Sequence, residues 1–373
     1  MLHRFTVRNF KSLEDTSVDL GPVTVLVGRS GTGKTNFVTA LRCLRDYLYS
    51  GPGAFGEWQQ IVPATKEKCQ TAFEVEFDVK GIESQFTYQI TLHERGPTLP
   101  IVEESLSLGQ QTLFRQSQGK WLVEPQLVSV PQAGSPAIGR IPAISEVVIA
   151  YTALTSGIGV YQFPAAVLQK SKSRAKKISG LQDDGGDYLE TLKEIVSNLQ
   201  DLNVRKSIIA SLQCLNPSIS AVELDSIQKP SKVVVGHKFG EKTLELTLAQ
   251  ESDGFRRFYA HLLALYQRPP KQTLVFEEPE NGIYPGALEL LASEFKAAPG
   301  AGRGQIILTT HSPGLLDHFS ADEIRVVDLD GWRTRIGRMA PEQREAVNEQ
   351  LLAPGELLTV DSARIEETEP AGT

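Results

Sequence analysis

The pattern of hydrophobic and polar positions changes period several times along the chain, and each change predicts an element. Leu2, Phe5 and Val7 interleave with His3, Arg4 and Arg8, which predicts an opening strand over residues 2–9. Residues 13–20 read as a second strand, leading through Gly21-Pro22 into Val23-Thr24-Val25-Leu26-Val27, an apolar, β-branched run of buried-strand type. Phe37, Val38, Leu41, Leu44 and Leu48 then fall at helical spacing with no proline among them. Residues 50–63, with three glycines and two prolines, read as loop. From Thr71 to Leu127 the period becomes two. Phe73, Val75, Phe77 and Val79 alternate with Glu74, Glu76, Asp78 and Lys80, and Phe86, Tyr88, Ile90 and Leu92 repeat the scheme. With further strands over 101–108, 111–115 and 120–127, this predicts an antiparallel β lobe inserted after the first helix.

The second half returns to helical spacing. Residues 143–155 predict a helix and 158–163 a short strand. Leu189, Leu192, Ile195, Val196, Leu199 and Leu202 form a helical stripe that opens at Asp187, and 204–214 predict another helix, closed by Asn216-Pro217. Strands are expected over 222–224, 232–235 and 243–248, then an apolar helix over 254–266. Residues 272–276 and 305–309 are short continuous apolar runs, which suit central strands of a parallel sheet buried on both faces. A helix over 285–296 lies between them. Residues 366–373 are polar and are expected to be disordered. No internal repeat or long heptad run is present.

Composition narrows the class. The 373 residues are 40% hydrophobic and 22% charged, an ordinary soluble globular balance. A net charge of −7 excludes a surface that is basic all over, so nucleic acid would need a local patch. Cys43, Cys69 and Cys214 lack metal-like spacing and read as reduced thiols, and no signal-peptide core or membrane-length apolar run is present. A cytoplasmic location without a membrane partner is the expectation.

The chemistry begins at Gly28-Arg29-Ser30-Gly31-Thr32-Gly33-Lys34-Thr35, which matches the phosphate-loop template between a predicted strand and a predicted helix. Glycines let the backbone wrap phosphate oxygens, and the helix start offers unpaired N–H groups. Gly28 through Asn36 are expected to hold ATP, with Lys34 on the β- and γ-phosphates and the Thr35 hydroxyl on Mg2+. Farther on, the apolar strand ending at Phe276 runs into Glu277-Glu278-Pro279-Glu280. Glu277 is placed to coordinate Mg2+ and Glu278 to act as general base on water, because adjacent carboxylates at a buried strand tip need a compensating cation. His311, at the tip of the 305–309 strand, is placed to bond a γ-phosphate. Ser252-Asp253-Gly254 opens the long apolar helix as an anion-ready N-terminus, or as a plain N-cap.

Together these stretches resemble an ABC-type ATPase head of the RecF/SMC-like group, similar to bacterial AAA family ATPases that include the OLD type. In that resemblance Gly28–Thr35 is the Walker A motif, Leu274–Glu278 Walker B, Ser252–Gly254 the signature, Glu280-Asn281-Gly282 the D-loop and His311 the switch histidine. Val7-Arg8-Asn9-Phe10-Lys11-Ser12-Leu13 resembles the group's opening segment near the nucleotide. The implied fold is α/β: a P-loop NTPase of ABC type with a mixed central sheet flanked by helices, an inserted antiparallel β lobe and a helical lobe. One ATPase domain is expected over 1–340, with an N-terminal lobe at 1–140, a helical connecting lobe at 141–249 and a C-terminal lobe at 250–340, followed by an extension at 341–373. Departures are Glu277 where the family has aspartate, Glu251 in place of a leucine before the signature, and Tyr284 where histidine is frequent. Gln162 and Gln169 are candidates for the Q-loop.

The resemblance implies a homodimer closed around ATP, with Ser252 and Gly254 of one copy meeting the γ-phosphate held by Lys34 of the other. Three uses of ATP follow: a switch acting on DNA in repair or chromosome maintenance, the ATPase subunit of an antiphage or toxin-like module gating a separate effector, and, least favoured, a transporter subunit. Lys170–Lys177, with five basic residues in eight, reads as a DNA-backbone patch or as a solvated loop. Val327–Gly331 resembles a nuclease acidic pair but reads better as a hairpin turn, and the roughly forty residues after it are too few for an OLD-type nuclease domain. Lys34→Ala is expected to abolish ATP binding, measured by titration calorimetry.

Overall fold

The computed structural model describes residues 1–51, 69–93, 101–118, 120–123, 136–141, 144–168, 181–197, 202–225 and 232–366. They form two compact units, one built from Met1–Ile158 with Ser320 onward, the other from Gly159–Phe319. Gln169, Lys170–Lys177 and the 367–373 tail lie outside the described residues.

The first unit contains a seven-stranded antiparallel sheet. Its strands lie in the order Leu13–Asp19, Leu2–Phe10, Gln70–Phe77, Phe86–His93, Ile101–Leu108, Gln111–Ser117 and Lys120–Val123. The inserted strands therefore continue the opening hairpin, with Phe5 opposite Val75 and Val7 opposite Phe73. Their period-two pattern puts Phe73, Val75, Phe77, Phe86, Tyr88 and Ile90 in the core. The Lys34–Ser50 helix buries Phe37, Val38, Leu41, Leu44 and Leu48, each contributing about 1.5–3 kcal/mol. Phe37 meets Phe5 edge-on at 5.5 Å between ring centres, and Phe5 stacks on Phe73 at 6.3 Å, so the sheet seats the helix that follows the phosphate loop.

Beside it, Val23–Val27 is buried at all five positions and runs parallel to Ile324–Asp330, with Val25 opposite Ile324 and Val27 opposite Val326. Arg333–Arg338 adds antiparallel to Ile324–Asp330, making the arrangement mixed. The reversal is at Gly331, φ 62°, and Asp328 and Asp330 lie opposite Arg335 and Arg333. This is the hairpin expected from the Asp-Gly pair. The extension carries a Pro341–Asn348 helix that the sequence pattern did not reveal, and Ile365 bridges back to Met339.

A buried carboxylate stands in the β core. Glu104, 1% exposed, accepts from Tyr88 Oη at 3.0 Å, Gln116 Nε2 at 2.8 Å and the backbone N–H groups of Ala137 and Ile138 at 2.7 and 3.0 Å. Burial pushes its carboxyl up, and these four donors pull against that shift.

The second unit is organised on Thr273–Glu277 and Gln305–Thr310, parallel and in register from Thr273 opposite Gln305 to Glu277 opposite Thr309. Ile158–Tyr161 lies on the other side of Thr273–Glu277. Leu274 to Phe276 and Ile306 to Leu308 are fully buried, as two-sided apolar runs require. Around them lie the helices Tyr188–Ser197, Leu202–Leu215, Asp253–Tyr266 and Leu288–Gly300, and a three-stranded antiparallel sheet of Ile219–Asp225, Lys232–Phe239 and Lys242–Thr247. No helix among the described residues is long and apolar enough to cross a membrane.

His261 sits in the aromatic heart of this unit, against Phe163, Phe276 and Phe295 at 5.1, 5.4 and 6.1 Å between ring centres. Its Nδ1–H donates to the Arg257 carbonyl at 2.7 Å. Burial pushes its pKa down from 6.5 to about 4. The unfolded chain therefore takes the proton first, and stability falls as pH drops from the unfolded value toward the folded one. The whole gap corresponds to about 3 kcal/mol. His261→Phe is expected to flatten this part of the stability curve, read from urea unfolding at pH 7 and at pH 4.5.

Candidate functional site

The phosphate loop is braced from three directions within the first unit. Lys34 is the first residue of its helix and 6% exposed. Its ammonium folds back to donate to the carbonyls of Gly28 at 2.6 Å and Arg29 at 2.9 Å, closing the loop. Thr32 Oγ1 donates to the Arg29 carbonyl at 2.9 Å. Gly33 caps the helix in the left-handed region, φ 103°, and a Cβ there would strike the Thr334 hydroxyl. Glycine is required twice over, for its angle and for its missing side chain. Arg29, Ser30, Gly31 and Thr35 are left exposed around the loop.

A directed run of hydrogen bonds holds the loop from outside. Asn36 Nδ2 donates to Ser12 Oγ at 2.7 Å, Ser12 Oγ lies 2.6 Å from Thr334 Oγ1, and Thr334 Oγ1 donates to the Thr32 carbonyl at 2.8 Å. With Thr334 donating to Thr32, it accepts from Ser12, so every proton points the same way. The Thr334 N–H also donates to the Ser12 carbonyl at 2.8 Å. Ser12 belongs to the opening segment expected near the nucleotide, whereas Thr334 carries no local signal. Arg29 Nη2 donates to Ser362 Oγ at 2.6 Å, bringing the C-terminal extension to the loop. First-turn N–H groups without intrahelical acceptors, a buried ammonium and an exposed Thr35 hydroxyl fit a Mg2+-bound triphosphate.

The second unit brings together Glu278, Glu280, Asn281 and His311. Glu277 ends its strand half-buried. The next residue, Glu278, turns into the left-handed region, φ 47°. Its N–H reaches the Thr309 carbonyl at 3.1 Å and Thr309 Oγ1 at 3.2 Å, which offsets that strain. Both oxygens of its carboxylate are engaged. Asn281 Nδ2 donates to Oε2 at 2.8 Å, and His311 Nδ1 lies 3.2 Å from Oε1. Glu280, the first residue of the segment that resembles the D-loop, is buried. It accepts from Thr310 Oγ1 at 2.7 Å and the His311 N–H at 3.2 Å, fixing the strand tip that carries the histidine.

Ser252 is the N-cap of Asp253–Tyr266, accepting from the Phe255 N–H at 3.2 Å, so the capping reading holds. Its side chain is exposed. The buried Arg256 guanidinium clamps the turn, donating to the Ala249 carbonyl at 3.1 Å, to the Glu251 carbonyl and to Asp253. Gly254 faces the Gly282 carbonyl, which a Cβ would approach to 2.9 Å. Glu251, the departure from the family pattern, pairs with His237 Nε2 at 2.7 Å. Tyr284 is 74% exposed. Gln162 is exposed and donates its N–H to the Asp183 carbonyl at 2.9 Å. Among the described residues no three His, Cys, Asp or Glu side chains form a metal cage. Mg2+ commonly relies on one or two protein oxygens, phosphate and water instead.

Thr334→Val removes a buried donor to the Thr32 carbonyl and takes from the Ser12 hydroxyl its acceptor. It is expected to cost about 1–3 kcal/mol in denaturant unfolding and to weaken ATP binding several-fold in calorimetry.

Residues 1–118 match a model described as an AAA ATPase domain. Residues 160–317 match one described as an AAA domain, putative AbiEii toxin, Type IV TA system. The Old nuclease of Escherichia phage P2 is 23% identical over 354 residues, covering 86% of this chain and 58% of that protein. An OLD nuclease of Thermus scotoductus is 49% identical over 41 residues, which is 11% of this chain and 8% of that one. The chain thus spans little more than half of the phage relative and a small part of the other. Among solved structures, an SMC head bound to the C-winged helix domain of ScpA matches with a TM-score of 0.60 at 14% identity, covering 92% of this chain and 99% of that one. The SMC head domain from Thermotoga maritima matches at 0.50 and 14%, covering 90% and 98%. The chain thus has the α/β fold of ABC-type SMC heads, the segments that carry its phosphate loop and its Glu278–His311 cluster each resemble AAA ATPase models, and it is similar in sequence to the Old nuclease.

Proposed function

We propose that the protein is an ATP-hydrolysing switch that dimerises around Mg2+-ATP and acts on DNA, in repair or chromosome maintenance. The pairing of Glu278 with His311 at 3.2 Å carries the hydrolytic reading, because it joins a base and a phosphate-sensing imidazole at one strand tip. In this reading Gly28–Asn36 wrap the phosphates, Lys34 neutralises charge on the β- and γ-phosphates, and Thr35 and Glu277 hold Mg2+, which supplies further charge neutralisation when bound. Glu278 accepts the proton of the attacking water, and His311 bonds the γ-phosphate. Ser252 and Gly254 of a second copy complete the site, so that loss of the γ-phosphate opens the dimer.

A second reading has its own support. The family described as a putative AbiEii toxin matches residues 160–317, and the OLD relatives are named nucleases. In that reading the protein is the ATPase of a defence or toxin-like module, gating a separate effector.

ATP hydrolysis with and without duplex DNA distinguishes the two, stimulation supporting the first and its absence the second. Glu278→Gln is expected to bind ATP, lower turnover by about 100-fold or more and trap the closed dimer on sizing chromatography. Wild-type turnover in that variant removes Glu278 as the base, and a monomer in ATP removes the dimer.

A further inference from the structure

We propose that His237 is a positioning residue for the Ser252–Gly254 turn, acting through Glu251. The inference rests on the reading that this turn meets the γ-phosphate on a second copy. His237 lies on the Lys232–Phe239 strand of the three-stranded sheet and is 4% exposed. Its Nε2 is 2.7 Å from Glu251 Oε1, and both side chains are almost wholly buried. With the Glu251 oxygen as acceptor, the donor is Nε2–H. The ring is held from its other side by Ser218 Oγ, 2.9 Å from Nδ1, and Ser218 Oγ donates to Asn216 Oδ1 at 2.9 Å. A line of hydrogen bonds thus runs from the Asn216 turn to the residue directly before Ser252.

The pair does two things for an anion site. It draws a carboxylate, one residue from the Ser252 hydroxyl, into a buried hydrogen bond and away from an arriving phosphate, where its charge would repel. Together with Arg256, which takes the Glu251 carbonyl, it fixes both the main chain and the side chain of Glu251. Ser252 is then presented exposed at the start of a 14-residue helix whose N–H groups and dipole favour an anion. His237, Glu251 and Ser252 all belong to the second unit, whereas the phosphate loop belongs to the first.

The test uses the full-length protein. His237→Ala is expected to bind ATP as wild type does, because the loop is intact, and to lose at least about tenfold in kcat. His237→Gln, whose amide can still donate to Glu251, is expected to recover most of that loss. The trans assignment is read by mixing impaired variants and comparing each mixture with its separate components. Lys34→Ala mixed with Ser252→Glu is the control for the shared site and is expected to regain hydrolysis. Lys34→Ala mixed with His237→Ala is expected to regain it equally, since one site then combines an intact loop with an intact turn. Unchanged kcat in His237→Ala, weakened ATP binding by it, or no recovery in its mixture while the control recovers, overturns the role of His237. Failure of the control mixture itself overturns the shared site, and the proposal with it.

Discussion

The structure depends on how a flexible glycine loop is made rigid. Gly33 must occupy a left-handed conformation for the helix to begin where it does, and glycine resists any fixed conformation entropically. The compensation is the bond from Thr334 to the Thr32 carbonyl, passed on through Ser12 to Asn36. Lys34 adds two bonds to loop carbonyls from inside. A loop so tied keeps its N–H groups arranged for phosphate before any ligand arrives, which lowers the ordering cost of binding. The opening strands, the Phe5–Phe37 contact and the late hairpin all serve this one constraint.

The acidic cluster follows a related economy. Glu277, Glu278 and Glu280 crowd negative charge into a short turn, yet each is handled differently. Glu280 is buried, with one oxygen accepting from a hydroxyl and an N–H. Glu278 is held open at the surface of its unit by Asn281 and His311, through a left-handed backbone. Glu277 remains at the end of a core strand. Three carboxylates of the same chemistry are thereby given different environments within one turn.

Much of the architecture was legible. Period-two alternation located the β strands, helical spacing located the helices at Phe37–Leu48 and 254–266, and two continuous apolar runs located the parallel pair. The seating of the inserted strands against the opening hairpin was not legible, because strand pairing leaves no trace in either strand alone. Nor was the helix at Pro341–Asn348, whose polar sequence buries only Gln343. Glu251 was visible only as a departure from pattern. Its partner His237 lies on another element, so the reason for the departure was hidden.

Motif spacing by itself determined the phosphate-loop match and the paired carboxylates at a strand tip, because these are local features written in consecutive residues. Only the tertiary structure decided which groups hold them. It brought Thr334 to Thr32, His311 to Glu278 and His237 to Glu251. The physical reason is that a hydrogen bond recognises position and direction, and neighbours in space can lie 302 residues apart in the chain.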